Sequence, residues 1–290
     1  MHTDMHLVYI WTMNQLPLAK RVQIINMLVE GSSLRSTSRV CDVSINTVTK
    51  VLVEVGKACE IFHDEKVRKV QAKRVQCDEI WSFVYSKEKN KPTDHEGHAG
   101  DVWTWTALDS DTKLMISWFV GSRDAHAAYE FLVDVRSRVS TRMQLTSDGH
   151  GAYAGAVDAI FGQNIDYAQL IKIYGAAEGK GNEKRYSPAE CTGTRLNVVS
   201  GQPDETLIST SHVERQNLTM RMAMRRFTRL TNAFSKKVEN HCYAIALHFV
   251  HYNWCRIHKT LRVTPAMEAG LTDEIMSIAD VVKLAYPNSK

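Results

Sequence analysis

The sequence predicts an α/β fold, with a mixed five-stranded sheet and helices preceded by an all-α segment. Two observations predict it. In the first 55 residues, apolar side chains recur at the spacing of amphipathic helices. From residue 74 onward, runs rich in β-branched and aromatic residues alternate with amphipathic runs. A chain of 290 residues is long enough for one or two domains.

The N-terminal part contains three short predicted helices, over 18–30, 34–41 and 45–55, with a tight turn before the third. Ser44 is a suitable N-cap for that third helix. A generic helical bundle is one interpretation. The lengths and polarity are more typical of a helix-turn-helix, so residues 1–57 are predicted to bind DNA. The third helix would present polar side chains to phosphates and base edges: Asn46, Thr47, Thr49 and Lys50.

Residues 58–73 are charged and are predicted to form a linker. The pattern then gives three strands, a helix, a strand, a helix and a strand: 74–85, 102–108, 114–120, 125–139, 143–147, 151–161 and 165–173. This order is typical of an RNase H-like catalytic domain, which we assign to 74–255. Residues 175–210, rich in Gly, Ser, Pro and charge, are predicted to be a loop insertion. A helical segment follows from 212 to about 252, and 256–290 is predicted to be a C-terminal tail.

Composition narrows the classes of protein. The net charge of +4 is mild, but residues 215–237 contain Arg and Lys without any Asp or Glu. A local basic stripe is the usual footprint of phosphate binding. The six cysteines stand singly, so we expect buried free thiols in a reducing compartment and no zinc finger. The N-terminal residues carry neither a basic n-region nor a long apolar run, so we expect a cytoplasmic protein without a membrane partner.

Two aspartates stand where an α/β sheet could use them. Asp78 lies inside the first predicted strand, where a charge is costly unless it is paired or binds a metal. Glu79, on the opposite strand face, is the competing candidate, and one of the two should face solvent or a loop. Asp148 follows the strand MQLTS, at an end where such sheets commonly place their chemistry. A purely structural turn aspartate is the alternative there.

The third acid, Glu214, lies near the start of the helical segment SHVERQNLTMRMAMRRFTRL, for which Ser211 is a possible N-cap. Polar and basic residues follow at helical spacing along the same stripe. A surface helix held by salt bridges is the alternative, but it would intersperse more acids. We therefore expect Glu214 to bind metal and the residues beyond it to contact DNA phosphates: Asn217, Arg221, Arg225 and Arg229.

At these residues the chain resembles a known family. The segments CDEIW, TSDGHGAY and SHVERQNLTMR resemble the three catalytic blocks of DDE insertion-sequence transposases, and are most similar to the IS-one family. The segment YNWCRIHKTLRVTPAMEAGL resembles the C-terminal segment of such enzymes, and the likeness covers about residues 16–271. Three acids match the motif positions of the catalytic triad: Asp78, Asp148 and Glu214.

The resemblance implies both a chemistry and its partners. It implies an RNase H-like catalytic fold whose three acids bind two Mg²⁺ or Mn²⁺ ions per active site. It further implies cleavage and joining at the inverted repeats of a mobile element. The partners would be double-stranded DNA, both transposon ends and target, and further copies of the chain on that DNA. Asn217 and Arg221 match polar positions of the motif.

Other interpretations are weaker. The pairs His95/His98 and His248/His251 lack further zinc ligands beside them, and Ser147 with His150 forms no evident nucleophile triad. Two functional alternatives stay open. The chain could be a DNA-binding regulator that has lost activity, or an RNase H-like nuclease without strand transfer, since water and a DNA 3′-hydroxyl attack the same phosphate.

Overall fold

The computed structural model describes residues 16–95, 97–175, 190–228 and 232–288, which form a mixed α/β structure around a six-stranded sheet. The strands are β1 (Arg74–Val84), β2 (Gly100–Asp109), β3 (Met115–Gly121), β4 (Gln144–Ser147), β5 (Asp166–Tyr174) and β6 (Cys191–Ser200). The helices are α1 (Leu18–Val29), α2 (Leu34–Cys41), α3 (Ile45–Lys66), α4 (Ala125–Arg138), α5 (Gly151–Phe161), α6 (Ser211–Ala223), α7 (Val238–Val250), α8 (Pro265–Glu268) and α9 (Ile278–Ala285). No helix in these ranges is long and apolar enough to cross a bilayer.

The sheet runs in the order β3-β2-β1-β4-β5-β6. The three central strands β1, β4 and β5 are parallel, whereas β2, β3 and β6 join by antiparallel pairing. The prediction of five strands was wrong, because β6 lies inside the predicted loop 175–210. Its side chains are mostly exposed on both faces, so the strand shows none of the apolar alternation by which a half-buried strand is recognised.

Helices cover both faces of the sheet. Trp105 of β2 packs against Phe131 of α4 and Tyr153 of α5 on one face. On the other face, the first amides of α6 donate to the Gln76 side chain of β1. Trp105 stands opposite Glu79 in the β1–β2 register, so Glu79 belongs to the α4/α5 face, while Gln76 and Asp78 belong to the α6 face.

The third N-terminal helix is longer than predicted. Ser44 caps it as expected, accepting from the Thr47 amide at 3.1 Å, but α3 then continues to Lys66. The predicted linker 58–73 is therefore helical over its first half, and the predicted boundary at 57 falls inside α3. The extension follows because the inner face of α3 packs on α7, where Gly56 meets the backbone of Tyr243 so closely that a Cβ would collide.

The predicted tail 256–290 is also packed. Ser277 and Asp280 form a capping box that starts α9, and α9 lies against α1 and α3. Beyond it the Tyr286 ring receives the Arg21 guanidinium at 3.7 Å, and the Tyr286 hydroxyl donates to Glu54. The N-terminal helices, the sheet and the C-terminal helix consequently share one hydrophobic core.

Candidate active site

The three predicted acids line one cleft of about 600 Å³. Asp78 comes from β1, Asp148 from the loop after β4, and Glu214 from the first turn of α6. Two cationic side chains, Arg123 and Lys172, line the same cleft. The fold thus brings together residues that are far apart in the chain, and it balances their charge with cations.

Asp78 is held from two directions. Its Oδ1 accepts the Glu79 amide at 2.9 Å, and its Oδ2 accepts the side-chain amide of Asn217 at 2.8 Å. Burial raises the pKa of Asp78 to about 6, and the nearby carboxylates of Asp148 and Glu214 act in the same direction. A carboxyl whose ionisation is disfavoured in this way is stabilised by any cation that enters the cleft.

Asp148 both stabilises the turn after β4 and lines the cleft. Its Oδ1 accepts the His150 amide at 2.9 Å, and the His150 ring in turn caps α5 by accepting the Ala152 amide. Gly149 allows this tight path, since a Cβ there would lie 2.9 Å from the side chain of Ile171. The second oxygen of Asp148 lies 3.8 Å from Arg123, inside the cleft. The structural interpretation of this aspartate and the functional one are compatible.

Glu79 reaches the cluster as well. Its side chain is 1% exposed and its Oε2 accepts from Arg123 Nε at 3.1 Å. Burial raises the pKa of Glu79 to about 7; interaction with the Tyr153 hydroxyl opposes this shift, although the hydroxyl lies outside hydrogen-bonding geometry. Of Asp78 and Glu79, Asp78 is the one that lines the open cleft, beside the loop after β4. One carboxylate oxygen from each of the two nevertheless lies within 4.8 Å of the other and of Asp148.

The strand pairing explains this convergence. The β1–β4 ladder ends at the pair Gln76–Thr146, so β1 has no strand neighbour on that side at Asp78 and Glu79. Side chains from both faces of β1 can therefore enter the gap that opens beside Asp148.

Glu214 is engaged differently. Both of its oxygens accept from Lys172 Nζ at 2.5 Å, and Oε1 also accepts from the Thr210 hydroxyl at 2.6 Å. The start of α6 is fixed by Gln76, whose Oε1 accepts the amides of His212 and Val213. Glu214 thus lines the cleft with its charge already compensated by Lys172.

The predicted DNA-contacting residues of α6 do not form one stripe. Asn217 is 3% exposed and donates to Asp78, so in this structure its side chain is engaged within the cleft, and a contact with DNA stays a prediction. Arg221 lies in the last turn of α6, which ends at Ala223. Arg225 is exposed but lies in a 3-10 turn after the helix, and hence off the predicted stripe, and Arg229 lies outside the described residues. The helical spacing failed here because the helix stops.

The predicted residues of α3 are only partly available. Asn46 and Lys50 are exposed, with Lys50 Nζ 3.9 Å from Glu54. Thr47 and Thr49 are half-buried and use their hydroxyls locally. The Thr47 hydroxyl bonds the Ser44 side chain, and the Thr49 hydroxyl donates to the carbonyl of Ile45.

Sequence reasoning missed the two cations of the cleft. Arg123 is the second residue after β3, and its guanidinium also lies 4.7 Å from the Trp103 ring. Lys172 is a charged residue within the predicted last strand. A charge inside a strand was the available signal for Lys172, and it is the same signal that drew attention to Asp78. The partners of Arg123 are distant in sequence, and no local pattern indicates them.

The residues of the cluster suit a hard divalent cation. All of its donors are carboxylate oxygens, the ligands that Mg²⁺ and Mn²⁺ prefer. No other group of three or more His, Cys, Asp or Glu side chains in the described ranges is arranged to hold a metal ion. All six cysteines are free thiols; three are buried, and Cys191 is exposed.

Comparisons with known proteins assign no family to this chain. No family model and no curated protein matches the chain. Solved structures that align with it include the Mos1 transposase paired-end complex with left transposon end, at 13% identity over 53% of this chain and 59% of that one, with a TM-score of 0.22. The Mos1 Strand Transfer Complex aligns at 12% identity over 82% and 76%, with a TM-score of 0.25. The chain spans about 59% of the first of these, and overlaps of this size establish neither family nor fold.

Proposed function

We propose that the protein is a DDE-type transposase that cleaves DNA at the ends of an insertion sequence and joins those ends to target DNA. The observation that carries the proposal is the convergence of Asp78, Asp148 and Glu214 in one cleft. Each comes from one of the three sequence blocks that resemble the catalytic blocks of such enzymes. A surface helix or a structural turn would have no reason to bring all three together.

The side chains of the cleft have separate tasks in this proposal. Asp78 and Asp148 would hold a divalent cation, Mg²⁺ or Mn²⁺, and Glu214 would hold a second one after releasing Lys172. Such ions would activate the attacking hydroxyl and stabilise charge on the phosphate oxygens. Asn217 holds Asp78 in one orientation through its 2.8 Å hydrogen bond. Arg123 and Lys172, which line the same cleft, would attract and orient the DNA phosphate.

The rest of the chain supports DNA binding in the same proposal. The order three strands, helix, strand, helix, strand, with β6 added, supports an RNase H-like fold. The exposed start of α3, with Asn46 and Lys50, supports a helix-turn-helix that binds transposon ends. Arg221 and Arg225 would add phosphate contacts. The active form would be an oligomer on double-stranded DNA in the prokaryotic cytoplasm.

The test uses a plasmid that carries the DNA flanking the coding sequence, with Mg²⁺ or Mn²⁺. Asp78→Asn, Asp148→Asn and Glu214→Gln should each reduce strand cleavage by more than about 100-fold, because each loses a metal ligand while keeping its shape. All three should bind the same DNA within about 2-fold of the unchanged protein. Asp158→Asn, on the exposed side of α5, is the matched control and should cleave normally. Normal cleavage by Glu214→Gln would remove it from the triad.

The alternatives are separated by the products. Labelled transposon ends joined to a target plasmid indicate a transposase. Cleavage without joined products indicates a nuclease, and DNA binding without cleavage in either metal indicates a regulator.

A further inference from the structure

Glu79 occupies an unusual position beside the catalytic cleft. It points to the α4/α5 face of the sheet, whereas Asp78 points to the α6 face. Both carboxylates nevertheless enter the gap that opens where the β1–β4 ladder ends, beside Asp148. In octahedral coordination at roughly 2.1 Å, adjacent ligands of a Mg²⁺ ion lie about 3.0 Å apart and opposite ligands about 4.2 Å apart. The three oxygens lie within 4.8 Å of one another, so rotations of their side chains would bring them to one ion.

The hydrogen bonds of Glu79 are incomplete. One oxygen, Oε2, accepts from Arg123, while Oε1 is buried and has no partner, and the hydroxyl of Tyr153 beside it is also unpaired. Buried carboxylate oxygens are normally satisfied, because leaving one unpaired costs several times the value of a hydrogen bond. Arg123 does not fully compensate the charge of Glu79, since its side chain is partly exposed and also pairs with Asp148. A cation bound through Oε1 would satisfy this oxygen.

Glu214 does not compete for this position. Lys172 and Thr210 already hold both of its oxygens, and it is not among the three clustered carboxylates. The two glutamates thus differ. Glu79, beside the cleft, is buried with an unpaired oxygen, whereas the charge of Glu214 is compensated by Lys172.

We propose that Glu79 is the third oxygen ligand of a divalent cation that Asp78 and Asp148 also hold, and that Glu214 does not bind this ion. The identity of the cation as Mg²⁺ or Mn²⁺ rests on the proposed function. The choice of its three ligands is independent of that function, because it follows from the placement of the three carboxylates.

Binding of Mn²⁺ to the full chain without DNA tests the assignment, followed by electron paramagnetic resonance of the free ion. Glu79→Gln keeps the shape and an acceptor for Arg123. It should weaken the tighter Mn²⁺ site at least about 10-fold, as Asp148→Asn should. Glu214→Gln and the exposed control Glu205→Gln should leave that site within about 2-fold. Circular dichroism in EDTA establishes that each variant is folded.

The outcomes separate this inference from the proposed function. Wild-type affinity in Glu79→Gln, loss of the tighter site in Glu214→Gln, or no Mn²⁺ binding by the unchanged chain would each overturn the assignment of Glu79. Mn²⁺ binding that depends on Glu79, in a protein that cleaves no DNA, would support the assignment and refute the transposase proposal.

Discussion

Replacing Glu79 by Gln should stabilise the metal-free protein at high pH and not at low pH. The pKa of Glu79 is raised from 4.5 to about 7, chiefly by burial. In the unfolded chain this carboxyl ionises near its ordinary value. The folded state therefore binds the proton more tightly, so it loses stability relative to a neutral side chain as the pH rises from 4.5 to about 7, and above pH 7 that loss is complete.

The size of the effect follows from the two pKa values. A change from 4.5 to about 7 corresponds to roughly 3 kcal/mol at pH 8, at about 1.4 kcal/mol per pH unit. Coupling to the nearby charge of Asp78 makes 2 to 3 kcal/mol a reasonable range. At pH 5 most of the folded molecules carry the protonated acid, so the gain should fall below about 1 kcal/mol.

Urea unfolding of both proteins in EDTA, at pH 8 and at pH 5, measures this difference. Comparing the variant with the parent at each pH cancels the other titrating groups, including the buried histidines, and any constant cost of the new amide. Adding Mn²⁺ at pH 8 should reduce the advantage of the variant, because the cation stabilises the ionised carboxylate. An identical stability difference at the two pH values would show that Glu79 ionises without penalty, and the account of the buried cluster would be wrong.

Further perturbations test the helices and the acid sensitivity. Gly56→Ala should destabilise the protein by about 1 to 3 kcal/mol in thermal unfolding, because the new methyl group collides with α7; Gly155→Ala, also in a helix but with open space around it, should stabilise by about 0.5 to 1 kcal/mol. Lys50→Ala should reduce the slope of log K for DNA binding against log salt concentration by about 0.9, whereas Asn46→Ala should change the sequence preference. Unchanged values for both variants would refute the assignment of α3 as a DNA-recognition helix. Burial lowers the pKa of His241 to about 3, so the free energy of unfolding should fall as the pH drops below 6.5. His241→Gln should lessen that loss by about 1.4 kcal/mol per pH unit. Equal acid sensitivity in the variant and the parent would contradict this expectation.

Features with a local cause could be predicted from the sequence. Ser44 was recognised as a cap because capping depends only on the next few residues. Asp78 and Asp148 were placed correctly in a strand and at a strand end because neighbouring apolar residues define those elements.

Features that depend on tertiary contacts could not be predicted from the sequence. The charged second half of α3 is helical because one of its faces meets α7, and nothing within α3 itself encodes that partner. The role of Asn217 depends on how α6 lies across β1, since rotation of the helix decides whether the amide meets Asp78 or solvent. Lys172 and Glu214 pair across the cleft, and only the assembled sheet brings them within 2.5 Å.

The length of α3 has a consequence for the proposed action on DNA. The helix has 22 residues, so it extends about 33 Å from its exposed start to its last turns, where His63 contacts β3. With no flexible joint along it, the start of the helix cannot rotate independently of the cleft. If that start reads DNA as proposed, the number of base pairs between the recognised sequence and the cleaved bond is fixed. Insertion of half a helical turn of DNA between them, about 5 base pairs, should then abolish cleavage while leaving recognition intact.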